Sequence, residues 1–210
     1  MKLYDAAWAP NPRRVRIYLA EKAISIERVA IDLRADEQLG DSYRRVNPRG
    51  TVPALVLDTG EVIADSVAIC RFLEALHPEP PLFGTRAIEV ARVEAWTRRV
   101  EQDGYAAAVY ALRERAPRFA DRALPGHWPP VPQIPELATR AATMWTRFAA
   151  ALDERLAESE WIAGEGYTFA DVSALVTIDF ARAAALDMPA DAVHLRRWHA
   201  AATARPSAGA

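Results

Sequence analysis

The sequence has a single cysteine, Cys70, in 210 residues, so neither an intrachain disulfide nor a cysteine-rich zinc site can form. It also has no long apolar run. The most apolar stretch, Val172 to Leu186, is interrupted by Asp179 and Arg182 and falls short of the roughly 18–20 apolar residues a membrane span requires. Neither sign of charge dominates. Twenty-six Lys and Arg oppose 28 Asp and Glu for a net −2, which gives no positive field to recruit nucleic acid or an anionic membrane. Met1-Lys2-Leu3-Tyr4-Asp5 lacks a basic-then-apolar signal pattern, and the expectation is a cytoplasmic protein with no membrane or nucleic-acid partner. His77, His127, His194 and His199 are scattered without metal-ligand spacing, so no metal is expected.

What is present is a soluble-domain composition, 51% hydrophobic and 26% charged, well away from the disorder signature. The length suits one to two domains. The first third mixes short β-branched runs with helical patterns, whereas the chain after about residue 85 is rich in Ala, Arg and Glu. Leu3-Tyr4 opens a strand; Asn11-Pro12 then starts a helix that runs to Lys22. Ile24 to Ile31 reads as a second strand, and Glu37 to Val46 as an irregular helix. Ala54–Leu57 and Val62–Ala64 flank Asp58-Thr59-Gly60-Glu61 as an antiparallel hairpin. Ile69, Phe72, Leu73 and Leu76 then keep helical spacing from Asp65-Ser66 to just before Pro78. Downstream, Ala87–Arg115 and Leu137–Ala157 read as long amphipathic helices, separated by a loop with six prolines from Pro117 to Pro135. Thr168 with Asp171 forms a capping-box signature, and a last helix spans Ala192 to Ala204. The domain reading is 1–77, a linker over 78–85, and an all-helical 86–210.

A βαβ then ββα order with Pro53 at the mouth of the third strand is the thioredoxin-like plan. The chain resembles the cytosolic-type glutathione transferases, bacterial branch, through four motifs in register. These are Pro12-Arg13-Arg14-Val15-Arg16-Ile17; Asn47-Pro48 with Val52-Pro53-Ala54; Asp65-Ser66-Val67-Ala68-Ile69; and the Thr168–Asp171 box. The resemblance implies an α/β N-terminal thioredoxin-like domain (βαβαββα) followed by an all-α C-terminal domain. It also implies glutathione as co-substrate, a small hydrophobic electrophile, a detoxifying role and a homodimer. A cis Val52-Pro53 bond would leave the Val52 N–H and C=O unpaired for the cysteinyl unit of glutathione, so Thr51, Val52 and Pro53 are candidate binding residues. The competing reading is that Pro53 merely starts a strand. Asp65-Ser66, at a helix start, suits the γ-glutamyl end, although either residue can also be a plain N-cap.

The activating position departs from the family. Trp8-Ala9-Pro10-Asn11-Pro12 holds none of the Tyr, Ser or Cys that many members place after the first strand. Asn11, with an amide that can donate to a thiolate, is the candidate catalytic residue; a capping Asn is the alternative. By the resemblance, Trp8 and Tyr105 are candidates for the electrophile pocket. Cys70 falls on an apolar helical stripe and reads as a buried small hydrophobe. The activity expected is transfer of the glutathione sulfur to an electrophilic carbon, or its use against a peroxide or disulfide. The rival is a non-catalytic binding or regulatory module of the same fold.

Overall fold

The computed structural model describes all residues, 1–210. Two compact units form: Met1–Pro80 with Leu124–Pro129 and Ala210, and Pro81–Ala123 with Pro130–Gly209.

In the first unit, β1 (Lys2–Asp5) leads to α1 (Pro10–Glu21), β2 (Glu27–Ala30), a 3₁₀ turn (Glu37–Leu39), α2 (Asp41–Arg44), β3 (Ala54–Val56), β4 (Val62–Ile63) and α3 (Ser66–Leu76). The sheet order is β2-β1-β3-β4, with β1 parallel to β2 (Leu3 opposite Arg28) and antiparallel to β3 (Leu3 opposite Leu55). Leu3 and Leu55 are therefore cross-strand neighbours; with Val15, Ile17, Ile69 and Leu73 they are fully buried and form the core under the sheet. The second strand is shorter than its hydrophobic pattern suggested. Ala23 turns at φ +52° and the Ile24 N–H donates to Leu19 O at 2.9 Å, so Ile24 closes the helix exit and pairing begins only at Glu27.

The second unit consists of α4 (Ala87–Arg99), a π-helical turn (Val100–Tyr105), α5 (Ala106–Arg113), α6 (Pro135–Ala157), α7 (Phe169–Ala181) and α8 (Val193–Thr203). Leu82 and Phe83, read as linker, are buried in this unit: the Phe83 ring stacks on Phe169 at 4.7 Å and Leu82 O accepts from the Phe169 N–H at 2.8 Å. The single helix expected over Ala87–Arg115 is interrupted by the π turn. That turn holds Gly104 against Phe148, where a Cβ would stand 2.4 Å from the ring, so the wider turn and the absent side chain together admit the aromatic. The proline-rich stretch after it is no free loop. Arg113 donates to the Arg122 and Ala123 carbonyls and stacks on Phe119, and Gln133 Nε2 donates to Arg113 O at 2.6 Å, which satisfies a carbonyl in the last turn of α5. No helix is long and apolar enough to cross a membrane.

Asp171 does more than close its own helix. It is 0% exposed, and its carboxylate accepts from the Thr168 N–H and hydroxyl at 2.9 Å each, Ile162 N–H at 3.0 Å and Trp198 Nε1 at 2.9 Å. Burial raises its carboxyl pKa above the ordinary value even against those donors. The capping box thus ties α7 to the preceding loop and to α8. Asp171→Ala should therefore cost about 3–5 kcal/mol, more than a cap alone, because it orphans two fully buried donors. Urea unfolding checks this as a fall in midpoint at unchanged slope.

Candidate functional site

Three backbone features of the first unit come to the surface with hydrogen-bonding capacity left over. The first is the start of α1. Ala9 is its extended cap and makes no side-chain cap bond. The Ala9 N–H is bound to Ala6 O at 3.0 Å and the Arg13 N–H to Ala9 O at 3.2 Å, while Pro10 and Pro12 have no N–H. The alternating prolines leave Asn11 with the only free backbone N–H of the first turn, at the positive end of the helix. The Asn11 Oδ1 is buried without a partner, so Nδ2 is the accessible end of its amide. Asn11 lies inside the helix and is not its cap. Arg16 fixes the approach to this turn: its guanidinium donates to Asp5 Oδ1 at 2.6 Å, Ala6 O at 3.3 Å and Ala7 O at 2.6 Å, all from a buried position. A buried cation is thereby surrounded by three acceptors from the end of β1 and the loop that follows it.

The second feature is the segment before β3. The Val52-Pro53 bond is cis. Thr51 O is held by the Tyr43 hydroxyl at 2.6 Å and Asn47 Nδ2 at 2.7 Å, and Asn47 Oδ1 accepts from the Arg49 N–H at 3.2 Å. Val52, half-buried, pairs neither its N–H nor its C=O with the rest of the chain. Asn47 is legible in sequence as the head of an Asx turn in Asn-Pro-Arg-Gly. Tyr43 carried no such signal, because only the fold brings its hydroxyl to Thr51.

The third feature is the start of α3. Asp65 caps it by accepting the Val67 and Ala68 N–H groups at 2.9 and 3.0 Å, both on Oδ1. Oδ2 is left to solvent, so capping and a second role are compatible. Ser66, the first helical residue, is buried to 3% exposure, and neither its N–H nor its hydroxyl bonds to the rest of the chain. Asn11, Thr51, Val52, Pro53, Asp65 and Ser66 all belong to the first unit. Trp8 is also there, half exposed, whereas Tyr105 belongs to the second unit, its ring 5.7 Å from that of Phe180.

The family models "Glutathione S-transferase, N-terminal domain" and "Glutathione S-transferase, C-terminal domain" match residues 8–76 and 119–206. Glutathione S-transferase 2 of Saccharomyces cerevisiae is 31% identical over 99% of this chain and 87% of its own length. The chain belongs to the glutathione S-transferase family. A crystal structure of a glutathione S-transferase domain-containing protein from Marinobacter aquaeolei superimposes with a TM-score of 0.87, at 36% identity over 99% of both chains. Maleylacetoacetate isomerase of Pseudomonas aeruginosa is 37% identical over 94 residues, 44% of each chain. The N-terminal family match takes in Asn11, Val52, Asp65 and Ser66 together.

Among glutathione S-transferases that use a cysteine, the thiol must be reachable. Cys70 is not. It is fully buried in α3, and burial pushes its thiol pKa well above the ordinary value in spite of the nearby Arg14. A disulfide reagent at pH 8 should leave Cys70 unmodified in the native protein and titrate it only after denaturant is added; colour release at the free-thiol rate from native protein would contradict this.

Proposed function

We propose that this family member is an enzyme that binds glutathione along the edge at Val52, holds its sulfur as thiolate at the start of α1, and transfers it to an electrophilic centre. The observation that carries this reading is the unpaired Val52 N–H and C=O, held ready by the doubly bonded Thr51 carbonyl. An extended peptide adds to such an edge as a strand would. The remaining features suit the rest of the tripeptide. The free Oδ2 of Asp65 is an acceptor for the γ-glutamyl ammonium, and the Ser66 hydroxyl with the Ser66 N–H at the start of α3 suits its carboxylate. Asn11 offers the sulfur two donors, its own N–H and Nδ2. Trp8, half exposed in the same loop, gives apolar surface to an electrophile.

The chemistry asked of these residues is modest. A thiol of pKa about 8.5 is a few per cent ionised at neutral pH, and each unit of depression corresponds to about 1.4 kcal/mol of preferential stabilisation of the anion. A charge-assisted hydrogen bond at a helix start supplies that much. The thiolate then attacks the electrophilic carbon, the new C–S bond forms, and the leaving group departs with its electron pair.

Retention on immobilised glutathione, followed by thiol consumption across a panel of electrophiles, peroxides and disulfides, tests the reading; a folded protein that neither binds glutathione nor consumes it would make this a non-catalytic module. Ser66→Ala should weaken glutathione binding by about 1.5–3 kcal/mol, the range for a hydrogen bond to a charged group, with the fold retained. Calorimetric titration reads that directly. Asn11→Ala keeps the backbone N–H and removes only the amide. Turnover near neutral pH should fall roughly ten- to a hundredfold and recover in part at higher pH, because a raised thiol pKa lowers the thiolate fraction only below that pKa. The midpoint of thiolate absorbance should move up in step. A variant with the wild-type midpoint and rate would assign the sulfur to the Asn11 N–H alone.

A further inference from the structure

Leu124–Pro129 lies between helices of the second unit in sequence yet belongs to the first in space. Its contacts there include the residues that lead into Val52. The His127 N–H donates to Arg49 O at 2.7 Å. Gly126, at φ +97°, lies so close that a Cβ would stand 2.6 Å from Arg49 O and 3.0 Å from Thr51 Cγ2. From the other side, a Cβ on Gly50 would stand 3.2 Å from the His127 Cβ and 3.0 Å from Gln38 O. Two glycines therefore let two stretches of backbone meet at hydrogen-bonding distance. The turn is braced internally, since Trp128 Nε1 donates to Pro125 O at 3.0 Å and prolines stand at 125, 129 and 130.

We propose that Leu124–Pro129 is a strap that positions the Arg49–Val52 segment for peptide binding, and that Gly126 is the positioning residue that sets how closely it lies. The proposal rests on the reading of Val52 as the glutathione edge. Arg49–Val52 lies outside every strand, so no sheet ladder orders it. Tyr43 and Asn47 hold Thr51 O from one side, and the strap holds Arg49 O. A segment fixed beforehand loses less freedom when a ligand pairs with it, so the strap acts on affinity. Asn11 makes no hydrogen bond to it, and on this reading the ionisation of the bound sulfur is independent of the strap.

Gly60 supplies the control. It has φ +88°, and nothing lies within 4 Å of where its Cβ would be. Alanine at either position carries the same kind of backbone strain, but only at Gly126 does it meet the Arg49–Thr51 segment. In ligand-free Gly126→Ala, exchange of the hydrogen-bonded amides of Arg49, Gly50 and His127 should accelerate about tenfold; with glutathione, Kd and KM should rise about tenfold while kcat at saturation and the thiolate midpoint stay as in wild type. Gly60→Ala should lose stability and change none of these. Trp128→Ala, at a half-exposed position, loosens the brace without adding atoms and should move the same readouts about threefold, so the test survives a Gly126 variant that does not fold. Wild-type exchange at Arg49, Gly50 and His127 in both folded strap variants overturns the proposal, and so does an equal rise in Kd in Gly60→Ala. A wild-type protein that does not bind glutathione sinks the proposed function, whereas the exchange rates of the ligand-free variants still decide whether the strap holds the segment.

Discussion

A stretch of backbone whose N–H and C=O pair with nothing in the chain lacks the bonds that would have held it in the sheet, and something else must hold it. This constraint at Val52 accounts for features that otherwise look incidental. The short α2 and the 3₁₀ turn before it are poor helices by any periodicity, yet they deliver Tyr43 to the Thr51 carbonyl and Gln38 to the back of Gly50. Tyr43 is 3% exposed, and its hydroxyl pKa is pushed up to about 12, chiefly by burial. It therefore remains a protonated donor throughout the neutral range. The irregular part of the first unit is irregular because it grips a peptide from the side and pairs with no strand.

The helix starts show one grammar used for different ends. Asp65 accepts two helix N–H groups and Asp171 accepts the N–H of its cap residue Thr168, each in the way an acidic residue near a helix start is expected to. Exposure separates them. Asp171 is fully buried and both of its oxygens are consumed by four donors, so it acts as a structural knot among α7, α8 and the loop before α7. Asp65 is exposed and caps with one oxygen, which keeps the other available. At α1 there is no side-chain cap at all, and prolines on both sides of Asn11 reduce the free backbone donors of the turn to one. A single directed donor suits a single acceptor atom such as a thiolate sulfur better than the fan of N–H groups that an ordinary helix start presents.

The periodic elements were legible because their signals are local. The apolar spacing from Ile69 to Leu76, the Gly60 turn between two short runs and the Thr168–Asp171 box each declare an element within about ten residues, and the fold contains them. What escaped depends on residues remote in sequence. The π turn in the long helix reflects Phe148 lying against Gly104, and nothing near Gly104 in sequence announces a ring there. Ile24 looked like strand because it is β-branched and alternates, but the left-handed turn at Ala23 gives its N–H to the helix exit. The candidate residues Asn11, Val52-Pro53 and Asp65-Ser66 can be nominated from the chain by type and order. Their support cannot, since Tyr43, Arg16 and the 124–129 turn act through contacts made only on folding. Six prolines showed that the segment after Arg115 is no helix, and they gave no hint of where it binds.

The distribution of left-handed residues separates conformational need from contact. Ala23, Asp36 and Ala185 stand at φ +52°, +56° and +57°, so this chain accommodates side chains in the left-handed well where nothing presses on them. Gly50, at φ +60°, lies in the same well. Its dihedral alone would admit alanine or aspartate at the modest cost those residues already bear. What a side chain would meet there is Gln38 O, Leu39 Cδ2 and His127 Cβ, all within 3.2 Å. The glycine is thus demanded by the closeness of three separate pieces of chain, and their closeness is what leaves the Arg49–Val52 segment a single position to occupy.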